Sequence, residues 1–403
     1  MSKGVQTVVA SLAIQLVLGV AYIWSVFQTG IADTIFLGNN AAAALTFSLL
    51  LLGLPLYGPI SGKLAAKYST RAVVFVGGLL FSFGFFLASF VTYNAPWMLW
   101  LSYGGIASMG MGLAYSTTIA IAQRWYPHKK GLVTGIIVSA LGFGGVVFTP
   151  LVERWIANFG GTGFGELPTF RLLSGIFLVV CVIGSIFIHT PPEGHMMGAS
   201  AKAATAEIKN YTTKEMFGSP KFYVITFAMF LSVIGGLMMI GFARPIAVAR
   251  GLESTATIGV LAIAFFNSFG RLFWGALSDK LGRVHTVMLI MVVSCVLSMS
   301  MIIVDGYFIY VVIGLIGFCF GGFLSTFPSL TADTFGMKYQ ATNYGFVLYG
   351  FGIGAVVASQ LGGFFQNRAR YDISLMSPAF AIAAGCAFAG FWLLVALKML
   401  NKR

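Results

Sequence analysis

Two side chains four residues apart, Asn267 and Arg271, carry the chemistry that stands out most in this chain. They lie in the apolar run from Ile258 to Leu277. Four residues are about one helical turn, so a helix places both on one face. A guanidinium is planar, stays charged and grips a carboxylate through two parallel hydrogen bonds. Asn267 could hold that guanidinium or donate to a hydroxyl or keto oxygen of the same ligand. A lone cation in a bilayer costs about 2.5–3.5 kcal/mol on insertion scales and usually faces a cavity. No apolar segment supplies an acidic partner, so the expected counter-ion is a small organic anion arriving from outside. Two alternatives stay open. Arg271 is ~9 Å of helix rise from the end of its apolar run, so it could reach the interface or pair with loop carbonyls. Asn267 could instead serve a helix–helix hydrogen bond.

The elements that must position this pair are legible in the composition. The chain has 403 residues, 58% hydrophobic and 9% charged, where a soluble domain carries roughly 25% charged residues. A mean hydropathy of +0.91 and repeated apolar runs of about twenty residues indicate membrane-spanning helices. The net charge of +13 sits in short loops between spans, which is a topology signal and argues against a nucleic-acid surface. Cys181, Cys295, Cys319 and Cys386 all fall in apolar runs without paired spacing. They predict buried small hydrophobes, with no disulfide, metal or cofactor site. No catalytic cluster is visible, so an enzyme is not expected, and no cleavable signal peptide is recognised.

Twelve spans are predicted, at residues 8–30, 41–61, 72–92, 97–122, 132–157, 169–189, 221–243, 257–277, 284–304, 307–329, 342–366 and 376–397. The polar stretch His189 to Pro220 splits them into two six-helix halves, residues 1–190 and 220–403, joined by a linker at 191–219. A short surface helix is expected at 201–209. Lysine and arginine alternate strongly between sides. Arg154, Arg171, Arg244, Arg250, Arg368 and Arg370 fall on one side; Arg271 falls within a span; the rest fall opposite. The positive-inside rule then puts both termini and the linker in the cytoplasm.

The halves repeat each other. Gly112 to Trp125 matches Gly322 to Phe335, Gly135 matches Gly345, and Leu141 to Val147 matches Phe351 to Val357, all at one offset of 210 residues. Parallel halves with a site at their interface are a transporter architecture. Glycine clusters at Gly142/Gly144/Gly145, Gly317/Gly321/Gly322 and Gly350/Gly352/Gly354 follow no strand, so they are not phosphate loops. They predict close helix contact instead.

The loop Gly275-Ala-Leu-Ser-Asp279-Lys280-Leu-Gly282-Arg283 resembles the G-x-L-x-D-R/K-x-G-R loop of the major facilitator superfamily. A second copy runs from Gly62 to Arg71 but lacks the acid, at Ala66, and the second glycine, at Ser69. Asp279, Lys280 and Arg283 are therefore expected to form a charged gating latch, weaker in the other half.

Five further stretches are similar to the oxalate/formate antiporter family, a prokaryotic branch close to the monocarboxylate transporters. They are the segment around Tyr22, Gln123 to Gly131, Asn267 to Arg271, Phe327 to Ser329, and Asn343 to Phe346. The resemblance covers almost the whole chain. It implies exchange or proton-linked transport of small carboxylates. It also implies that Arg271 binds the carboxylate and that Tyr22 and Tyr115 are cavity tyrosines. In the family's oxalate exchanger a second cation stands where this chain has Phe351, and other cavity aromatics are replaced by Leu141, Leu324 and Leu348. One cation suits one carboxylate, because a second would face an apolar wall. Monocarboxylate relatives in eukaryotes tend to carry Asp where this chain has Asn267, and Asn carries no proton. His128 falls in a loop, and His189 and His285 at span ends.

The reading is thus an all-α membrane protein of major facilitator fold, with twelve transmembrane helices in two six-helix halves. The resemblance implies a secondary active transporter of lactate-, pyruvate- or formate-type monocarboxylates, by proton symport or anion exchange. Arg271, Asn267, Tyr22 and Tyr115 would hold the substrate, with Leu141, Phe320, Leu348 and Phe351 bounding a small cavity; from the residues alone, Tyr22 and Tyr115 could instead be interfacial belt residues, and plain packing is the favoured reading of Phe320, Leu348 and Phe351. Arg244 and Arg250 could draw anions in. The expected partners are a small carboxylate anion, protons or a counter-anion, and the lipid bilayer of a prokaryotic plasma (inner) membrane, with the protein a monomer. The alternatives are a dicarboxylate exchanger of oxalate/formate type and a proton-coupled exporter of other small molecules. A sensor built on the same fold would need a signalling domain.

Overall fold

The computed structural model describes residues 2–192, 209–241, 252, 256–369 and 376–402. Arg244, Arg250, Arg370 and residues 201–208 of the helix expected at 201–209 lie outside the described residues.

The first span is broken. Helix α1 (Lys3–Leu18) runs into a 3-10 turn, Gly19–Ile23, and continues as α2 (Trp24–Thr34). The break falls where Gly19 meets the backbone of Leu141 and Gly144, an approach with no room for a Cβ. Helices α3 (Asn40–Lys67) and α4 (Thr70–Ala88) follow. The side chains of Asn39 and Ser69 accept from Ala42 N–H at 3.1 Å and Ala72 N–H at 3.0 Å, satisfying amides at the two helix starts. The fourth span is composite: a single turn α5 (Trp97–Leu99), a π-helical stretch Trp100–Ala107, and α6 (Ser108–Trp125). Helices α7 (Lys130–Asn158) and α8 (Glu166–Ile186) complete the first six spans.

A short helix α9 (Thr213–Phe217) opens with a capping box between Thr212 and Glu215. Then come α10 (Pro220–Gly241), α11 (Ala256–Leu281), α12 (Arg283–Ser300), α13 (Phe308–Phe335), α14 (Gln340–Ala369) and α15 (Ser377–Lys402). Gly282 joins α11 to α12 at φ +84°, a region that strains any residue with a Cβ. That explains the second glycine of the Gly275–Arg283 loop. Ser69 stands at the corresponding place with φ −173°, ordinary extended backbone, and caps α4 instead.

Among the described residues, 11 helical stretches are long and apolar enough to cross a membrane. The twelfth expected span is α11, whose 26 residues give about 39 Å of helix at 1.5 Å per residue.

The chain forms two compact units. One comprises Met1–Pro127, Ala140–Ala206 and Tyr339–Phe346; the other comprises His128–Ser139, Glu207–Lys338 and Val347–Arg403. The first turns of α7 and α14 are grouped with a different unit from the rest of those helices. The reason in α7 is direct: Gly131 and Gly135 lie against the backbone of α11 at Gly275 and Arg271.

Candidate functional site

In the second unit, α11 is held between the start of α7 and the middle of α13. Four glycines make the approach: Gly135 lies against Arg271 O, Gly321 against Asn267 O, Gly317 against Ile263, and Gly270 against Phe318 O. The result is that Asn267 and Arg271, one turn apart on α11, are 8% and 3% exposed. Arg271 Nη1 donates to the carbonyl of Val138 on α7 at 2.8 Å. This carbonyl belongs to a helix, not to a loop.

Leu348 and Phe351, on α14 in the same unit, are 1% and 2% exposed. Phe320 on α13 is 5% exposed, with its ring packed on Gly236 of α10. It lines a small cavity with Ser232, Met291, Ser294 and Ser298 whose lining includes neither Asn267 nor Arg271.

The other three expected residues lie in the first unit. Tyr22 sits in the 3-10 turn and is half-buried. Tyr115 on α6 is 2% exposed, and Leu141 on α7 is 1% exposed. Gln15 on α1 ties these helices together: its Nε2 donates to Tyr115 O at 3.3 Å and to Thr118 Oγ1 at 2.9 Å. The Leu141 carbonyl meets Gly19 at the head of the turn that carries Tyr22.

The Gly275–Arg283 loop builds a buried ionic junction. Asp279 Oδ1 accepts from Gly131 N–H at 3.1 Å, and Asp279 Oδ2 from Leu132 N–H at 2.7 Å. It thus caps α7 from another helix, where the dipole favours a negative charge. Arg283 bridges Asp279 and Asp333, at 2.5 Å and 3.1 Å. It also donates from Nη1 to Ser278 Oγ. Lys130 closes the network on Asp333 at 2.5 Å. Lys280 is exposed and outside it.

A profile of the Major Facilitator Superfamily matches residues 7–359, and again 234–402. The chain belongs to the Major Facilitator Superfamily. It is a multi-pass membrane transporter, not an enzyme. This superfamily member is 29% identical over 368 residues to the oxalate:formate antiporter of Oxalobacter formigenes, covering 88% of this chain and 85% of that one. It is 26% identical over 407 residues to apicoplast pyruvate carrier 1 of Toxoplasma gondii, covering 84% and 71%. Its fold is similar to the crystal structure of the superfamily transporter FucP in the outward conformation, at TM-score 0.75 and 14% identity, over 98% of this chain and 99% of that one.

Several partners in this superfamily transporter were not singled out from sequence. Val138 contributes only a carbonyl, which every residue has. Lys130 reads as one more loop cation, yet its side chain is 8% exposed against Asp333, 203 residues away. Glu166 reads as a loop acid ahead of the sixth span. It instead opens α8 at 1% exposure, where both carboxylate oxygens accept from Gly163 N–H at 3.0 and 2.9 Å. A Cβ at Gly30 would collide with that carboxylate. The signal available was its position at a helix start, where an acid is favoured.

Proposed function

We propose that this transporter carries small organic monocarboxylates of the lactate, pyruvate or formate type by alternating access. The observation that carries the reading is Arg271. It is a single cation, 3% exposed on α11, with Asn267 one turn away and Phe351 at the position where a second cation would suit a dicarboxylate. Two relatives named for oxalate, formate and pyruvate support the substrate class. In this reading Arg271 grips the carboxylate, and Asn267, Tyr22 and Tyr115 orient the rest. Leu141, Phe320, Leu348 and Phe351 restrict size and polarity. Asn267 cannot exchange a proton, so a proton would travel with the substrate anion itself, or the anion would exchange for another. The Asp279–Arg283 junction would act as a gating latch between neighbouring helices, in a chain divided into halves 1–190 and 220–403. Both termini and the linker would lie in the cytoplasm of a prokaryote, the protein acting as a monomer in the plasma membrane.

The test is uptake of labelled lactate, pyruvate, formate and oxalate into proteoliposomes, with and without an inward proton gradient or internal counter-anion. A charge-assisted pair contributes about 1.5–3 kcal/mol, so Arg271→Ala should lower monocarboxylate uptake about ten- to hundredfold, with Arg271→Lys intermediate. Normal uptake by Arg271→Ala would overturn the assignment. Oxalate as the best substrate would overturn the role given to Phe351.

A further inference from the structure

Helices α12 and α15 pack side by side in the second unit. Their outer surfaces are apolar and exposed: Leu289, Val292, Val296 and Met299 on α12, Phe388 and Trp392 on α15. The α12 stripe follows helical spacing and extends, one turn earlier, to His285. His285 Nε2 lies 3.0 Å from Lys398 Nζ, so an exposed basic pair joins the two helices at one end of the stripe. Among the described residues no carboxylate pairs with either side chain, whereas Lys130, Lys209 and Arg283 each have one. In the first unit, α4 and α8 pack alike and expose Phe75, Phe83, Val179 and Ile183. There Ala72 stands where α12 has His285. The His285 member of the pair is therefore not repeated at the matching position of α4.

We propose that the α12–α15 surface binds one anionic phospholipid. Lys398 and His285 hold the phosphodiester, and the acyl chains lie along the exposed stripes. A basic site between transmembrane helices at the headgroup level is suited to such a lipid. The inference rests on the proposed cytoplasmic placement of the α12 start and the α15 end. It is independent of which substrate is carried.

The experiment is native mass spectrometry of the full chain released from nanodiscs of equimolar phosphatidylglycerol and phosphatidylcholine. The wild type should retain one phosphatidylglycerol in preference to phosphatidylcholine. Lys398→Gln should weaken that retention about fivefold, the worth of one cation near the surface. Lys398→Glu and the His285→Gln/Lys398→Gln double variant should abolish the preference, with thermal unfolding unchanged because both side chains are exposed. Equal retention of the two lipids by the wild type, or undiminished preference in Lys398→Glu, would overturn the site. So would glycerol phosphate competing as well as the lipid does, since that shows a soluble-anion site. None of these readouts depends on transport, so failure of the monocarboxylate reading is separately detectable.

Discussion

At the start of α7, Gly131 lies against Gly275 of α11; at the start of α14, Thr342 lies against Gly62 of α3. One turn further on, Gly135 abuts the Arg271–Leu272 backbone, and Gly345 abuts Gly58 and Pro59. The two junctions share their backbone contacts and differ in their side chains. The first holds Asp279, Arg283, Asp333 and Lys130 in one ionic network. At the matching places the second has Ala66, Thr70, Gln123 and Gln340, all neutral. Even Arg271 has a glycine, Gly58, as its counterpart. Close helix approach in this fold is made by small residues and needs no charge. The ionic network is an addition made on one side, next to the residue proposed to bind substrate.

That contrast can be tested by moving chemistry between the junctions. Asp279→Ala copies Ala66 into the charged side. It strips the cap from Gly131 and Leu132 and leaves a buried Arg283 short of one partner. The expected loss is about 3–5 kcal/mol, read as a lowered thermal midpoint in detergent. Adding Arg283→Thr, the residue found at position 70, should recover part of the loss, because removing both partners of a buried pair costs less than removing one. If Asp279→Ala is as stable as the wild type, the two junctions do not differ energetically.

A smaller effect is expected from the reverse change. Ala66→Asp offers an acid to the first amides of α14 and should stabilise by about 0.5–1 kcal/mol. No gain would show that the two junctions match in backbone only.

The smallest effect concerns a clip found beside the charged side. Tyr211 N–H donates to Phe335 O at 2.9 Å at the end of α13, and Lys209 pairs with Glu215 at 2.9 Å. The Thr212 N–H, the Lys209 ammonium and the Thr212 hydroxyl together hold the Glu215 carboxyl down to about 2. A depressed carboxylate favours the folded clip above its ordinary value near 4.5, and that contribution is lost as pH falls through about 2. Hydrogen-exchange protection at Thr213–Phe217 should therefore stay constant above pH 5, after correction for intrinsic rates, and fall progressively from about pH 4.5 to about pH 2. Protection unchanged from pH 5 down to pH 2 would show that Glu215 does not hold the clip.

What could be read in advance was local. Apolar run lengths revealed the spans, because a helix in lipid must satisfy its own backbone and needs about twenty residues to cross. Gly282 could be read as a turn residue, since only glycine takes φ +84° without strain. The break at Gly19–Ile23 could not, because it is set by where α7 comes to lie. The Lys130–Asp333 pair was hidden among loop and helix-end charges for the same reason.

By itself, then, the sequence determined that this protein crosses a membrane repeatedly, that its halves repeat, and that Arg271 is a cation without an acid in its span. Those properties follow from hydropathy, spacing and side-chain type, which the chain carries wherever it is placed. Only the tertiary structure decided that Arg271 rests on the Val138 carbonyl and that Asp279 caps α7. It also decided that Lys130, Arg283 and two aspartates form one network. Each of these partners is distant in sequence, and several are backbone groups present in every residue, so only the packing of helices could select them.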